Sequence, residues 1–316
     1  MSGAGRNAHH QHRQKHPESD RRCQADAEGD GKSEVDASHV GKRDHAGYDR
    51  VPDEFCRAGT LPGHMLALVR EVSPQLAHCE LTHLERTVID AQRAARQHRD
   101  YTQALQALGC TLEWLPPLPH CPDGVFVEDT AMVLPEIAVV TRPGATSRRG
   151  ETASVAATLG QRARVSMIAE PGCLEGGDVL HIGRTLHVGA SGRTNAAGIA
   201  QLAALLHPCG YRVAQVSLAG CLHLKSACSF IPPDVLLVNP QWVDPAIFGP
   251  LRVIAVDERE PHAANTLTIG STTLVSAAYP HTHRRLEAAG IGTRVVDVSE
   301  LHKAEGGLTC MSLLLE

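Results

Sequence analysis

Aromatic residues are scarce in this chain: two Trp, four Tyr and four Phe among 316 residues, or 3%. Nucleobases would find few flat side chains to stack on. There is no excess of basic charge either, since the formal net charge is -5 with His taken as neutral. No cationic field therefore draws the protein to nucleic acid. Ten cysteines are present, yet none is spaced Cys-x-x-Cys and no Cys/His spacing matches a structural zinc site. Free thiols in a reducing compartment are the expectation. The longest apolar runs fall well short of a membrane span, and no charged-then-apolar leader opens the chain. These absences point to a soluble cytoplasmic protein that engages neither nucleic acid nor membrane.

Large apolar residues are nearly missing from residues 1–58, which are rich in His, Arg, Asp, Glu, Gly and Ser. Such a segment cannot bury enough surface to offset the entropy of ordering it, so a disordered extension is expected there. His9, His10 and His12 could hold a stray metal ion, but no closed ligand set follows them. An over-long reading of the start codon is a second explanation, with folding beginning near Leu61 or Met65. The expected domain layout is an extension over 1–58 and one catalytic domain over 59–316.

Beyond the extension, strands and helices alternate. Met65–Val72 is apolar enough for a strand, Leu84–Leu108 has a loose helical pattern closed by Gly109, and Thr111–Leu115 reads as a strand. A pattern then recurs. Asp129, Asp178 and Asn265 each open a stretch of strand, tight turn and strand, ending at Thr141, Ala190 and Ala277. Ser226 begins a looser copy that runs through Phe230, Pro232 and Pro233 to Val238. Helices at Thr194–Leu206 and His283–Ala288 follow two of the hairpins, each leading to a glycine-led strand. The repeat is therefore strand, strand, helix, strand. About five such units are present once Met311–Leu315 completes the first. Repeats that expose apolar edges are stabilised by stacking into a closed ring. The expected fold is α/β, a five-bladed α/β propeller of ββαβ units in a single domain. In it the hairpin starts Asp129, Asp178, Ser226 and Asn265 converge on the axis with Cys310.

Three of the converging segments offer complementary chemistry: Glu175-Gly176-Gly177-Asp178, Leu222-His223-Leu224-Lys225-Ser226 and Gly307-Leu308-Thr309-Cys310-Met311-Ser312. A Cys beside a His can open an inert carbon–nitrogen bond through a covalent intermediate, because His lowers the thiol pKa and later moves the proton. Asp123, Glu128 and Asp129 add three carboxylates within seven residues, which suits a cationic substrate. A guanidinium is such a substrate. It stays protonated up to a pH of about 12 and is resonance-stabilised, so its carbon calls for a soft nucleophile, for which Cys is better suited than Ser.

Taken with Pro122–Asp129, Thr141-Arg142-Pro143-Gly144-Ala145 with Ser147-Arg148-Arg149, Ser191–Asn195 and Gly220–Ser226, these segments resemble the dimethylarginine dimethylaminohydrolase family of the guanidino-group-modifying (pentein) superfamily. The resemblance runs from about Met65 to the C-terminus. It implies hydrolysis of Nω-methylated arginines to citrulline and methylamine or dimethylamine, without metal or organic cofactor. By the same match Cys310 is the nucleophile, His223 the general acid and base, and Glu175 the carboxylate that orients them. Many family members carry Asp where this chain has Glu175. The match also places Glu128 and Asp129 against the guanidinium, Arg148 and Arg193 on the substrate carboxylate, Asp123 near the α-amino end, and Leu81 in a mobile lid. The implied partner is a small guanidino substrate, and the implied assembly a monomer or homodimer. Asp178 beside the Gly-Gly turn reads as structural, one of Arg148 and Arg149 as solvated, and Lys225 as either a surface charge or a pocket residue. Two other functions stay in play: an arginine deiminase or related amidine hydrolase, and a non-catalytic binder of arginine analogues. The first usually carries an inserted helical subdomain, for which the Glu175–His223 interval has no room. The second would not need a thiol at 310.

Overall fold

Short polar-to-apolar switches start most of the strands in the computed structural model, which describes residues 65–315. The expected extension, with its His9, His10 and His12, lies outside the described residues. In the first blade β1 (Leu66–Val69) is followed by α1 (Ala91–Ala107) and β2 (Thr111–Trp114). The second runs β3 (Ala131–Leu134), β4 (Ile137–Val140), α2 (Thr152–Leu159) and β5 (Val165–Met167). The third is β6 (Val179–Ile182), β7 (Thr185–Ala190), α3 (Ala196–Leu206) and β8 (Arg212–Ser217). A short helix, α4 (Leu224–Ala227), opens the fourth: β9 (Cys228–Ile231), β10 (Val235–Val238) and β11 (Arg252–Ala255). The fifth holds β12 (Leu267–Ile269), β13 (Thr272–Ser276), α5 (Pro280–Ala288) and β14 (Thr293–Val296). The chain then passes through α6 (Ser299–His302) to β15 (Leu313–Leu315).

Five separate three-stranded sheets result. In each, the inner pair is antiparallel and the outer pair parallel, as with Ala131 opposite Val140 and Ala138 beside Val165. Parallel pairing needs a crossover connection, and helices supply it in four blades. The fourth blade differs: a 3-10 turn at Pro245–Phe248 takes the place of its helix, with Asp244 capping it through Ala246 N–H at 2.9 Å. Blade one is completed by the end of the chain, because β15 pairs antiparallel with β1, Leu66 opposite Leu315. Inner strands of successive blades pack side by side, β15 on β3, β6 on β9 and β9 on β12. The architecture is the five-bladed α/β propeller expected from the repeat.

The middle strands read as unbroken apolar runs because they are covered on both faces. All four residues of β4 and all four of β10 are essentially inaccessible. Apolar clusters fill the space between blades and helices, for example Tyr101 and Leu105 of α1 with Leu301 and Met311. Charge collects instead at the axis, where Glu128, Asp129, Arg148, Glu175, Asp178 and His223 are all buried.

The first helix starts well after the sequence pattern suggests. The helix expected over Leu84–Leu108 begins at Ala91, since Asp90 is extended and its Oδ1 accepts from Gln92 and Arg93 N–H, both at 3.0 Å. An N-cap of this kind ends the helix on its upstream side. Residues 82–88 stay exposed and loop across the surface.

Candidate active site

Four turns carry the site to the axis. The 3-10 turns Val127–Thr130, Gly176–Asp178 and Thr309–Met311 lead into β3, β6 and β15, and α4 leads into β9. They pack on one another. The double glycine makes this approach sterically feasible. A side chain at Gly176 would collide with the Glu128 carbonyl, and a Cβ at Gly177 would lie 2.6 Å from His223 Nδ1 and 2.8 Å from Asp129 Oδ1. Gly177 instead donates its N–H to Asp129 Oδ1 at 3.1 Å.

His223 is held between two carboxylates. Its Nε2 lies 2.7 Å from Glu175 Oε2 and its Nδ1 3.9 Å from Asp129 Oδ1. Burial works against a charge on this ring, but Asp129, Asp178 and the Glu175 hydrogen bond outweigh it and raise its pKa to about 9. These partners favour the charged imidazolium at neutral pH. Burial also works against ionisation of Asp129 and Glu175, yet His223 and Arg148 hold both below the ordinary carboxylate range. Glu175 is further fixed by Gly144 N–H at 3.1 Å and by Arg193 Nη1 at 3.6 Å. Asp178 plays the framework part expected of it. It accepts from Ser191 Oγ (2.6 Å), Thr194 Oγ1 (2.7 Å) and Leu224 N–H (3.0 Å), tying the third blade to α4.

Cys310 sits across the same cavity, which His223, Asp129, Phe126, Arg148 and Arg193 also line. Gly307 N–H points at its Sγ from 3.3 Å. Burial pushes the thiol pKa well above its ordinary value, and the negative charges of Glu128 and Asp129 push it further. These surroundings favour the neutral thiol, while Gly307 N–H and the Lys225 charge act in the other direction. Added positive charge would favour the thiolate further.

The remaining expected residues separate into two groups. Asp123 lines the cavity, and burial raises its carboxyl to about 6 against the pull of Arg148 and of Glu80 N–H at 3.1 Å. Arg193 lines it too, with Nη2 on Thr82 Oγ1 at 3.0 Å. Leu81 is half-buried against the apolar cluster that contains Cys310. Arg148 lines the cavity but is fully engaged. Nη1 meets Asp129 Oδ2 at 2.6 Å, Nη2 meets Glu151 Oε2 at 3.0 Å and the Phe126 carbonyl at 3.1 Å, and Nε meets Glu151 Oε1 at 3.3 Å. No arm of this guanidinium is left as a free fork, whereas Arg149 is partly exposed and binds the Pro143 carbonyl at 3.2 Å. Glu128 lines a second cavity on the axis, its oxygens taken by Lys225 Nζ at 2.5 Å and Thr309 Oγ1 at 2.6 Å. This gives Lys225 a partner and ties Glu128 to the turn that carries Cys310.

Asn265 and Thr309, already placed at the axis by the repeat, belong to the site's frame, as do Glu151 and Glu305, which the sequence did not single out. Asn265 links Lys225 O to Thr309, each at 3.0 Å; its place at the start of a hairpin was the available signal. Glu151 and Glu305 carry none. Asp129, Glu175 and His223 bring ligand atoms within 4.8 Å of one another, a set that could hold a metal ion. Both carboxylates are engaged internally, Asp129 with Gly177 and Arg148, and Glu175 with Gly144 and His223.

A cysteine, a histidine and paired carboxylates thus meet at the axis of a five-bladed α/β propeller. No family model matches the chain. It is 43% identical over 251 residues to the N(G),N(G)-dimethylarginine dimethylaminohydrolase of Streptomyces coelicolor, covering 79% of this chain and 96% of the relative. With the enzyme of the same name from Pseudomonas aeruginosa it shares 37% over 227 residues, 71% of this chain and 89% of the relative. The solved structure of a cysteine-to-serine mutant of the Pseudomonas aeruginosa enzyme, complexed with citrulline, superposes with a TM-score of 0.76 at 34% identity, covering 79% of this chain and 98% of that one. The chain belongs to the dimethylarginine dimethylaminohydrolase family.

Proposed function

We propose that this protein hydrolyses Nω-methylated arginines to citrulline and methylamine or dimethylamine, with Cys310 as nucleophile, His223 as general acid and base, and Asp129 and Glu175 as the carboxylates that hold the cation. The observation that carries the reading is that a buried cysteine and a buried histidine line one cavity whose other charged groups are carboxylates and arginines.

The chemistry follows from those charges. Burial and the charges of Glu128 and Asp129 hold the thiol neutral; a guanidinium entering beside Asp129 offsets those charges, so that Cys310 loses its proton to solvent once substrate is in place. The thiolate attacks the guanidinium carbon. As the tetrahedral adduct collapses, the carbon–nitrogen bond to the methylated nitrogen breaks, and that nitrogen leaves as the amine with a proton from His223. An S-alkylthiouronium is left on Cys310. His223, now neutral, takes a proton from water and hydroxide adds to the same carbon; the thiolate is then expelled and takes up the proton of the new hydroxyl, which restores the thiol and releases citrulline. Glu175 keeps the imidazole aligned through both halves. Arg193 takes the substrate carboxylate, Asp123 the α-amino end, and Arg148, held by Asp129 and Glu151, fixes Asp129 and adds positive field. Residues 1–58 form an extension apart from this chemistry, and the protein works in the cytoplasm on a small molecule.

The test is product analysis. Purified protein is incubated with asymmetric dimethylarginine, monomethylarginine, arginine and agmatine, and citrulline or ureido product is measured from each. Preferential citrulline release from the methylated arginines is expected, and Cys310→Ser should abolish it because an alcohol is a far weaker nucleophile toward a guanidinium. Preference for arginine itself would replace this reading with a deiminase, and binding without turnover would replace it with a non-catalytic receptor.

A further inference from the structure

Glu305 has a backbone that Glu rarely adopts. Its φ is 59°, the one left-handed non-glycine among the described residues, a conformation in which the Cβ crowds the following carbonyl. Gly, Asn or Asp usually fill such a position. The side chain that has been put there gathers three consecutive backbone N–H groups from a distant loop: Oε2 accepts from Thr82 at 3.0 Å, and Oε1 from His83 at 2.5 Å and Leu84 at 2.6 Å. That loop has no strand or helix of its own over residues 82–88, and its side chains are exposed. Without Glu305 the three amides would face water.

Both ends of this contact reach the active site. Upstream of the three amides, Leu81 rests on the apolar cluster around Cys310 and Phe126, and the neighbouring Glu80 lines the cavity. Within them, Thr82 Oγ1 accepts from Arg193 Nη2, whose other nitrogen faces Glu175. Downstream of Glu305, the chain runs through Gly306 to Gly307, whose N–H points at Cys310 Sγ. We propose that Glu305 is a positioning residue that latches the 80–84 loop over the cavity, so that capture of the substrate carboxylate by Arg193 and closure of the site occur together. The assignment rests on the methylarginine reading for its substrate, while the latch itself is a property of the free protein. Carboxylate acceptors hold N–H donors more firmly than neutral ones, and one carboxylate shared among three successive amides fixes the loop's backbone and leaves its side chains free.

The experiment compares the full-length protein with Glu305→Gly and Glu305→Gln. Glycine tolerates the left-handed turn without strain, so a residue serving the turn alone would be replaced at no loss. For a latch, Glu305→Gly should raise hydrogen exchange at the Thr82, His83 and Leu84 amides by about tenfold or more. It should also raise KM for asymmetric dimethylarginine by about tenfold while kcat stays within about threefold. Glu305→Gln retains one acceptor oxygen and should recover part of both effects. Unchanged exchange at the three amides in Glu305→Gly overturns the latch, as does freed exchange with KM unaltered. The exchange measurement requires no turnover, so a failed latch remains distinguishable from a wrong substrate.

Discussion

Arg148 and Arg193 carry the same charge in different surroundings. Arg148 is buried with Asp129 on one side and Glu151 on the other, at 2.6 and 3.0 Å. Removing it would break both of these buried ion pairs, a loss of roughly 3–5 kcal/mol in stability. Arg193 has a looser ion pair, 3.6 Å to Glu175, and a hydroxyl partner that a carboxylate can displace. Arg193→Ala is therefore the informative variant. It should lower kcat/KM for methylarginines by about ten- to a hundredfold, the worth of a buried charge-assisted contact. Agmatine, which lacks the carboxylate, should be scarcely affected. Arg148→Ala should instead lower the thermal midpoint and depress both substrates alike. Steady-state kinetics on the two substrates decide the matter, and equal losses in Arg193→Ala would mean that it reads no carboxylate.

At the level of elements, short turns matter more than helices. Each catalytic group sits on or beside a turn three or four residues long that opens an inner strand, and the Gly176–Asp178 turn is the most tightly constrained of them. Gly177→Ala would put a methyl group into His223 Nδ1 and Asp129 Oδ1, both of them side-chain atoms. The blade can keep its fold while the imidazole shifts. A displacement on the order of 1 Å costs about a hundredfold in rate, so kcat measured by citrulline release should fall about that far with a nearly unchanged thermal midpoint. Full activity would show that His223 has room to move. The turn's partners were partly legible. The Glu-Gly-Gly-Asp segment marks itself in sequence, and the start of α1 at Ala91 was obscured only because Val88 and Ile89 continue the apolar spacing past the Asp90 cap.

Over the whole molecule, closure depends on the last strand. β15 pairs with β1, packs beside β3, and buries Leu313 and Leu315 directly after the turn that carries Cys310. Removing residues 313–316 should strip the inner strand from the first blade and give protein that neither folds cooperatively nor turns over substrate. Deleting residues 1–58, whose composition offers nothing to a core, should leave thermal midpoint and citrulline release unchanged. Thermal melts and product assays on the two truncations check both ends. A folded, active C-terminal truncation would refute the role given to β15, and a large loss on deleting 1–58 would show that the extension supports the domain.

The amino-acid sequence by itself determined the repeat, the blade order and the chemical types brought to the axis. Strand alternation, turn residues and hairpin starts are encoded by near neighbours, and a residue such as Asp129 or Asp178 announces its place by opening a hairpin. Which charges meet was decided only in three dimensions. Arg148 met Glu151 and Asp129, Lys225 met Glu128, and Glu305 met a loop more than 200 residues away in the chain. Burial then raised the pKa of the Cys310 thiol, and the carboxylates around His223 raised that of its ring against burial. Pairings of this kind depend on the distance between blades and on the exclusion of water, and neither quantity is carried by residues adjacent in the chain.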